Sequence, residues 1–517
     1  MKKRCKVAVA TTSQLAAEAA AEVAELGGNA VDCAVAASML SINTQPGVCA
    51  LAGGGFVAVW HPDKTPITID GNVAVPGKDM SSDYEPDQGL GVQMEYGGGV
   101  RTIVGGASVA VPGTLAALEK ASRTYGALSW LETLQPTIRA AENGFPLAEA
   151  CRYYLGYSGD SIFSRSVDGF DALHDSDRKL LETGSAVKVP HLADSLTTIA
   201  KEGARLFYEG ELAGRIADHV RDAGGKLTRA DLAGYQPIVR ESLALDTRGW
   251  RIATNPPPAI GGAVLAAMLN GFATQPLRGW TGEALERLVR VQQSALSFRK
   301  EELDLADDVA LAVDKLLQLA QSGQLLSRWS SGSTVHTSAV DSNGLACAIT
   351  ASSGYGSGEM PAGSGLWLNN CLGELELNRL GLDAGPPGKR LPSNMAPGIA
   401  RNDRSVLAFG SPGADRITTA LHQFLINYIH FDYSLEDAIA WPRLHLDVHG
   451  ERPRLSMEPG IEIPNLDMEA IQYSSKNMYF GGVAAATSNT SGQLMAAADP
   501  RREGGTFVSG GEHQAAV

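Results

Sequence analysis

The chain has 517 residues, 44% hydrophobic and 19% charged, with 43 basic and 57 acidic side chains and a formal net charge of −14. That length exceeds one ordinary core, and the composition is that of a folded globular protein, which excludes a disordered or low-complexity chain. The acidic balance repels phosphate backbones and anionic lipid, so neither nucleic acid nor a membrane is expected as a partner.

The start, MKKRCKVAVATTSQLAAEAAAEVAEL, opens like a secretion signal. Its apolar stretch after Lys6 is short, however, and is interrupted by Gln14, Glu18 and Glu22. No apolar run reaches the ~20 residues that span a bilayer, and a cytoplasmic protein is expected. Ser13 predicts a helix cap over Gln14–Leu26, stopped by Gly27-Gly28, with a second helix over about Ala30–Leu40. LAGGGFVAVW then reads as three glycines before a short strand. Residues 60–110 are loop-rich, and from Pro112 to about Ala320 the pattern is mainly helical, with period 3.6 in GTLAALEKASRTYG and LERLVRVQQSALSFRKEELDLA. Gln321–Ser333 is polar and Gly/Ser-rich, and reads as an exposed linker ending at Thr334.

Beyond it, VHTSAVD and LACAITAS alternate as strands around a Ser342-Asn343-Gly344 turn, and helices are expected near Thr418–Ile429 and Ser434–Ala440. The sum is α+β, helices around β-sheet. Cys5, Cys33, Cys49, Cys151, Cys347 and Cys371 show no CxxC spacing, so buried free thiols are expected rather than a zinc or redox motif.

A threonine at a linker–strand junction becomes chemical if the peptide bond before it is broken. Its own α-amine, with a pKa near 8, then serves as the base that a hydroxyl nucleophile needs. Ser-Thr before a strand is common, and by itself says little. The wider sequence says more. GSTVHTSAVDSNG resembles the segment that begins the small subunit of γ-glutamyltransferases. LAAEAAAEVAELGGNAVDCAVAA, LAGGGFVAVW, SVAVPGTLAALEKASRTYGALSWLETLQPTIRAAENGFPL, LWLNN, KRLPSNMAP, FGSPGADRI and WPRLHLD keep that family's order through most of the chain.

The resemblance implies the four-layer αββα sandwich of N-terminal-nucleophile hydrolases. It implies autocleavage between Ser333 and Thr334 into residues 1–333 and 334–517, which remain together as a heterodimer and allow a dimer of heterodimers. No cofactor is implied. Thr334 matches the nucleophile. Ser352, or Ser353 in its place, matches a second hydroxyl near it. Gly413 and Ala414 match the pair whose N–H groups form the oxyanion hole, each worth about 3 kcal/mol. Ser393 and Asn394 match a Ser-Ser pair on the substrate carboxylate, and both can donate hydrogen bonds.

The departures bear on the substrate. The family's carboxylate-binding Arg falls at Lys78, which keeps the charge without the fork, and Arg101 is a second candidate. The ammonium-binding positions fall in the shortened SSGYGSG segment with Gly354 and Tyr355, at Cys371, and at Glu374. A site that keeps its anion-binding half and loses most ammonium acceptors predicts a small carboxylate-bearing amide without an α-amine, with oxamate, split to oxalate and ammonia, in front. An intracellular γ-glutamyltransferase is the runner-up. An unprocessed, inactive binding protein is the alternative of another class. His445, Asp447 and His449 would share one face of a strand, as metal ligands can, but hydrogen-bonded surface roles are commoner for so short a motif. His336 is read as structural support with its side chain turned away from Thr334.

Overall fold

The computed structural model describes residues 5–95, 99–274, 277–322, 334–413, 415–447, 453–463 and 468–510; Ser333, Ala414 and His449 lie outside them. Ser13 caps α1 (Gln14–Glu25) by accepting from the Ala16 N–H, as its position predicts. A capping box of Asn29 and Asp32 starts α2 (Ala30–Thr44), which runs past the expected Leu40. Every residue of α2 is buried, so no polar face marks its end in the sequence.

The strands of the two main sheets are β1 (Val7–Thr11), β2 (Gly54–Trp60), β3 (Ile67–Gly71), β4 (Ile238–Glu241), β5 (Leu243–Thr247), β6 (Trp250–Thr254), β7 (Val335–Asp341), β8 (Ala346–Ser352), β9 (Gly398–Arg401), β10 (Ser405–Gly410), β11 (Ala484–Asn489), β12 (Leu494–Ala498) and β13 (Gly505–Val508). The first sheet is ordered β13-β1-β7-β8-β2-β3-β4 and the second β12-β11-β10-β9-β6-β5, antiparallel throughout.

Alternation along the strands sorts the side chains into layers. Ala8, Ala58, Val340, Ala346, Ala348, Ile399, Ala408 and Ala486 meet between the sheets, where small residues predominate. Val7, Val9, Val57, Val59 and Ile349 face the other way, against α1 and α2. On the outer face of the second sheet, Ile252, Leu407 and Phe409 pack on Leu265 and Leu269 of α3 (Gly261–Ala273) and on Ile417, Leu421 and Phe424 of α4 (Arg416–Leu425). The result is the expected αββα sandwich. No helix among the described residues is long and apolar enough to cross a membrane. All six cysteines are free, four of them buried.

The mainly helical reading of residues 112–320 missed β4–β6. ESLALDT alternates at period two: Leu245 is buried while Ala244 and Asp246 are exposed. The stronger helical signal on both sides hid it. The chain passes from one sheet to the other at Ser242, whose hydroxyl hydrogen-bonds that of Thr68 at 3.0 Å. The expected turn is present, with Gly344 at φ 83° and the Asp341 carboxylate accepting from the Asn343 and Leu345 N–H groups. The linker reading begins too early. The helix Val309–Ser322 takes in Gln321 and Ser322, and the remainder lies outside the described residues.

Candidate active site

Thr334 stands immediately before β7 and is 2% exposed. Val335 pairs with Ala351, so the antiparallel register carries Thr334 opposite Ser352 at the end of β8. Neighbouring strands lie about 4.8 Å apart, which brings the two hydroxyl-bearing residues together on a rigid platform. The same register pairs Ser352 with Gly54 of β2. Both hydroxyl residues line a pocket enclosing about 420 Å³ of empty space, open mouth included.

His336 belongs to this platform. Residues two apart on a strand share a face, so its ring lies on Thr334's side of the sheet, contrary to expectation. It is no base. Nδ1 bonds the Thr350 hydroxyl and Nε2 the Ser338 hydroxyl, both at 2.8 Å, and burial pulls its pKa down to about 3. A neutral, doubly bonded imidazole is structural support.

The rest of the pocket comes from loops. Ser393 and Asn394 form one wall with Leu391, Pro392 and Met395. Cys371, Glu374, Leu377 and Asn378 form another, and Asn72, Val73 and Ile417 close it. Burial, with Glu374 nearby, pushes the Cys371 thiol well above its ordinary pKa, so it is a neutral wall group and not a nucleophile. Glu374 is 3% exposed and is the only carboxylate among the described lining residues, which include no Lys, Arg or His.

Three expected groups stand elsewhere. Lys78 is tied by its backbone to Asp231 and Thr228, and its Nζ lies against Gly234. Arg101 lies on the strand Val100–Val104 between buried Val100 and Thr102, so alternation turns it to solvent. Neither lines the pocket, and the expected anion clamp loses its cations. Tyr355 is buried outside the lining, its hydroxyl donating to Glu376 at 2.7 Å and its ring stacked on Tyr154. Gly413 occupies the turn between β10 and α4 at φ 119°, a conformation that favours glycine; an added Cβ would come 2.8 Å from the Gly481 backbone. It does not line the pocket, though Ile417 of the following helix does. Among the metal candidates, His445 bonds Thr419 and Asp447 pairs with Arg454.

Behind Asn394 lies a charged network that the sequence did not mark. The helix α5 (Gly282–Phe298) ends in a π-helical turn, Arg299–Leu303. Buried Arg299 donates to Asp304 and Asp415, and Asp415 Oδ1 also accepts from Asn394 Nδ2. Burial pushes the Asp415 carboxyl up to about 6, with Arg299 opposing the rise. Burial works against the Arg299 charge, but Asp304 and Asp415 outweigh it and hold its pKa above the ordinary value. In the sequence Arg299 reads as one more basic residue of an amphipathic helix, and no local pattern sets it apart.

A sequence model described as Gamma-glutamyltranspeptidase matches residues 16–509. The chain is 27% identical to a glutathione hydrolase proenzyme of Escherichia coli, over 95% of its own length and 90% of the relative's. It is 29% identical to an Acylase ACY 1 proenzyme of a Pseudomonas species, over 97% and 94% of the two lengths. In fold it is similar to a cephalosporin acylase from Bacillus halodurans, at TM-score 0.80, 22% identity and coverage of 98% and 97%. It is also similar to the gamma-glutamyltranspeptidase of Helicobacter pylori, at TM-score 0.51, 25% identity and coverage of 60% and 88%.

Proposed function

The chain belongs to the gamma-glutamyltranspeptidase family, and from that premise we propose that it is a proenzyme that cleaves itself before Thr334 and then hydrolyses amides with Thr334. Breaking the 333–334 bond frees the Thr334 α-amine. That amine takes the Oγ1 proton as Oγ1 adds to the substrate carbonyl carbon. The tetrahedral oxyanion falls, as the family resemblance implies, to the N–H groups of Gly413 and Ala414. Collapse passes the proton to the leaving nitrogen, expels the amine and leaves an acyl ester, and water, deprotonated by the same α-amine, then releases the acid. Segments 1–333 and 334–517 stay associated in this reading, because each sheet joins strands from both: they interleave in the first and meet at β9–β6 in the second. A cytoplasmic site of action is part of the proposal, and cell fractionation tests it.

The substrate reading rests on one observation: Glu374 is the only carboxylate lining the pocket and no cation lines it, among the described residues. A purely anionic acyl group such as oxamate would face that carboxylate, and the described lining offers it no cation. A zwitterionic acyl group brings an ammonium for Glu374 to hold, while the Ser393 hydroxyl can donate to its carboxylate. The geometry therefore favours the γ-glutamyl type of substrate over oxamate and reverses the sequence-based ranking. Like charges brought together in a buried site repel by several kcal/mol, so the expected gap in kcat/KM is about 10² or more. The test compares release of anilide from a γ-glutamyl anilide with ammonia release from oxamate. If oxamate is turned over with the higher kcat/KM, Glu374 does not set the substrate and this reading fails.

A further inference from the structure

We propose that Arg299 is a positioning residue for this pocket: from the segment before Thr334 it fixes Asp415, and through Asp415 it fixes the Asn394 amide on the pocket wall. The proposal rests on the Thr334 pocket being the active site.

Three observations carry it. First, Asp415 Oδ1 accepts from both Arg299 Nη1 and Asn394 Nδ2, so the guanidinium and the amide are aligned on a single oxygen. Second, both ends of the relay are held. Arg299 Nε donates to Asp304 at 2.9 Å, and the Ser393 carbonyl accepts from the Ile260 and Gly261 N–H groups at 2.9 and 3.0 Å. A Cβ at Gly261 would come 2.1 Å from the Asn394 carbonyl, so only glycine lets α3 approach this closely. Third, the relay is buried: the side chains of Arg299, Asp304 and Asp415 are at most 4% exposed.

One cation between two carboxylates is a weak way to stabilise a core, since an apolar replacement of similar volume is often as stable. What the arrangement supplies is orientation. With Nδ2 committed to Asp415, Asn394 cannot rotate to exchange its N–H and carbonyl ends towards the substrate. Cleavage before Thr334 would leave Arg299 on one fragment and Asp415 and Asn394 on the other, so the relay would hold the pocket across the new subunit boundary.

Three single variants of the full chain, Arg299→Lys, Asp415→Asn and Asn394→Ala, and the double variant Arg299→Lys with Asn394→Ala, are expressed and allowed to process. Rates are normalised to active sites titrated by the acyl-enzyme burst. Arg299→Lys is expected to lower kcat/KM about tenfold, chiefly through KM, and less than twofold when Asn394 is already alanine, because coupled residues are non-additive. Equal factors in both backgrounds overturn the proposal. Where Arg299→Lys yields no folded protein, Asp415→Asn, which keeps the shape, is read alone and combined with Asn394→Ala. Loss of folded protein with both also overturns it, in favour of a purely structural cluster. An active Thr334→Ala would sink the pocket itself. An inactive Thr334→Ala together with additive Arg299 and Asn394 effects sinks only this assignment.

Discussion

The pocket has two halves built on different principles. Thr334, Ser352 and His336 stand on or beside β7 and β8, where the ladder register and the hydrogen bonds to Thr350 and Ser338 set each position. Glu374, Cys371, Ser393 and Asn394 stand on loops, held by contacts to residues distant in sequence, such as Asn394 on Asp415 and, through its backbone, Ser393 on Ile260 and Gly261. A strand fixes geometry locally, so a few residues suffice to read it. A loop takes its geometry from whatever it packs on, and a short motif does not carry that.

The largest expected effect falls on the strand half. Thr334→Ala should give a folded precursor that runs as one band at 54.3 kDa and has no activity, while Thr334→Ser, which keeps a hydroxyl, should process slowly. Intact mass of the wild type should show a subunit beginning at Thr334. Processing of the alanine variant would break the comparison at its root.

On the loop half, Glu374→Gln keeps the shape of the wall and removes its charge. An amine-bearing acyl group should lose about 10- to 100-fold in kcat/KM, and an anionic one should lose nothing or gain. The ratio of the two substrates is the measurement. A variant that slows both equally would show Glu374 to be a wall group with no part in selection.

A third expectation concerns acid. Burial pulls His336 and His422 down to about 3 and His430 to about 4. The unfolded chain takes up these protons near pH 6.5 and the folded chain does not, so stability falls as pH drops below 6.5. By pH 5 the loss from His336 alone is about 2 kcal/mol. Denaturant midpoints measured between pH 7 and pH 5 should fall steadily. A flat profile would mean that the platform already carries protonated imidazole.

The uneven legibility of the sequence comes from the same contrast. Ser13, the Asn343-Gly344 turn and the β7–β8 alternation are local signals, and the structure obeys them. The αββα layering was implied by the family resemblance rather than by the pattern, which gave only helices around sheet; in the structure, alternation puts alanine between the sheets and valine beneath the helices. Lys78 and Arg101 were placed in the site by charge and motif order, but the first is anchored at Asp231 and the second sits on the solvent face of a strand. Arg299 reaches Asp415 across 116 positions, and a contact of that span leaves no trace in a window of neighbouring residues.

The smallest effect is expected where the halves meet. Tyr355 comes soon after the end of β8, but its ring leaves the platform and its hydroxyl donates to Glu376 on the loop side. Its N–H is held by the Asn370 side chain at 2.7 Å and its ring lies between Tyr154 and the acidic loop, so removing the hydroxyl leaves the backbone in place. Tyr355→Phe deletes one hydrogen bond to a charged acceptor, which costs about 1.5 to 3 kcal/mol if nothing replaces it. Most of that should appear as stability, because Tyr355 does not line the pocket. The part that reaches catalysis does so by letting the Glu374–Glu376 loop shift, so kcat/KM should fall only a few-fold, through KM, with processing unchanged. A loss as large as that of Glu374→Gln would place Tyr355 among the groups that select the substrate and move the border between the halves into the strand end.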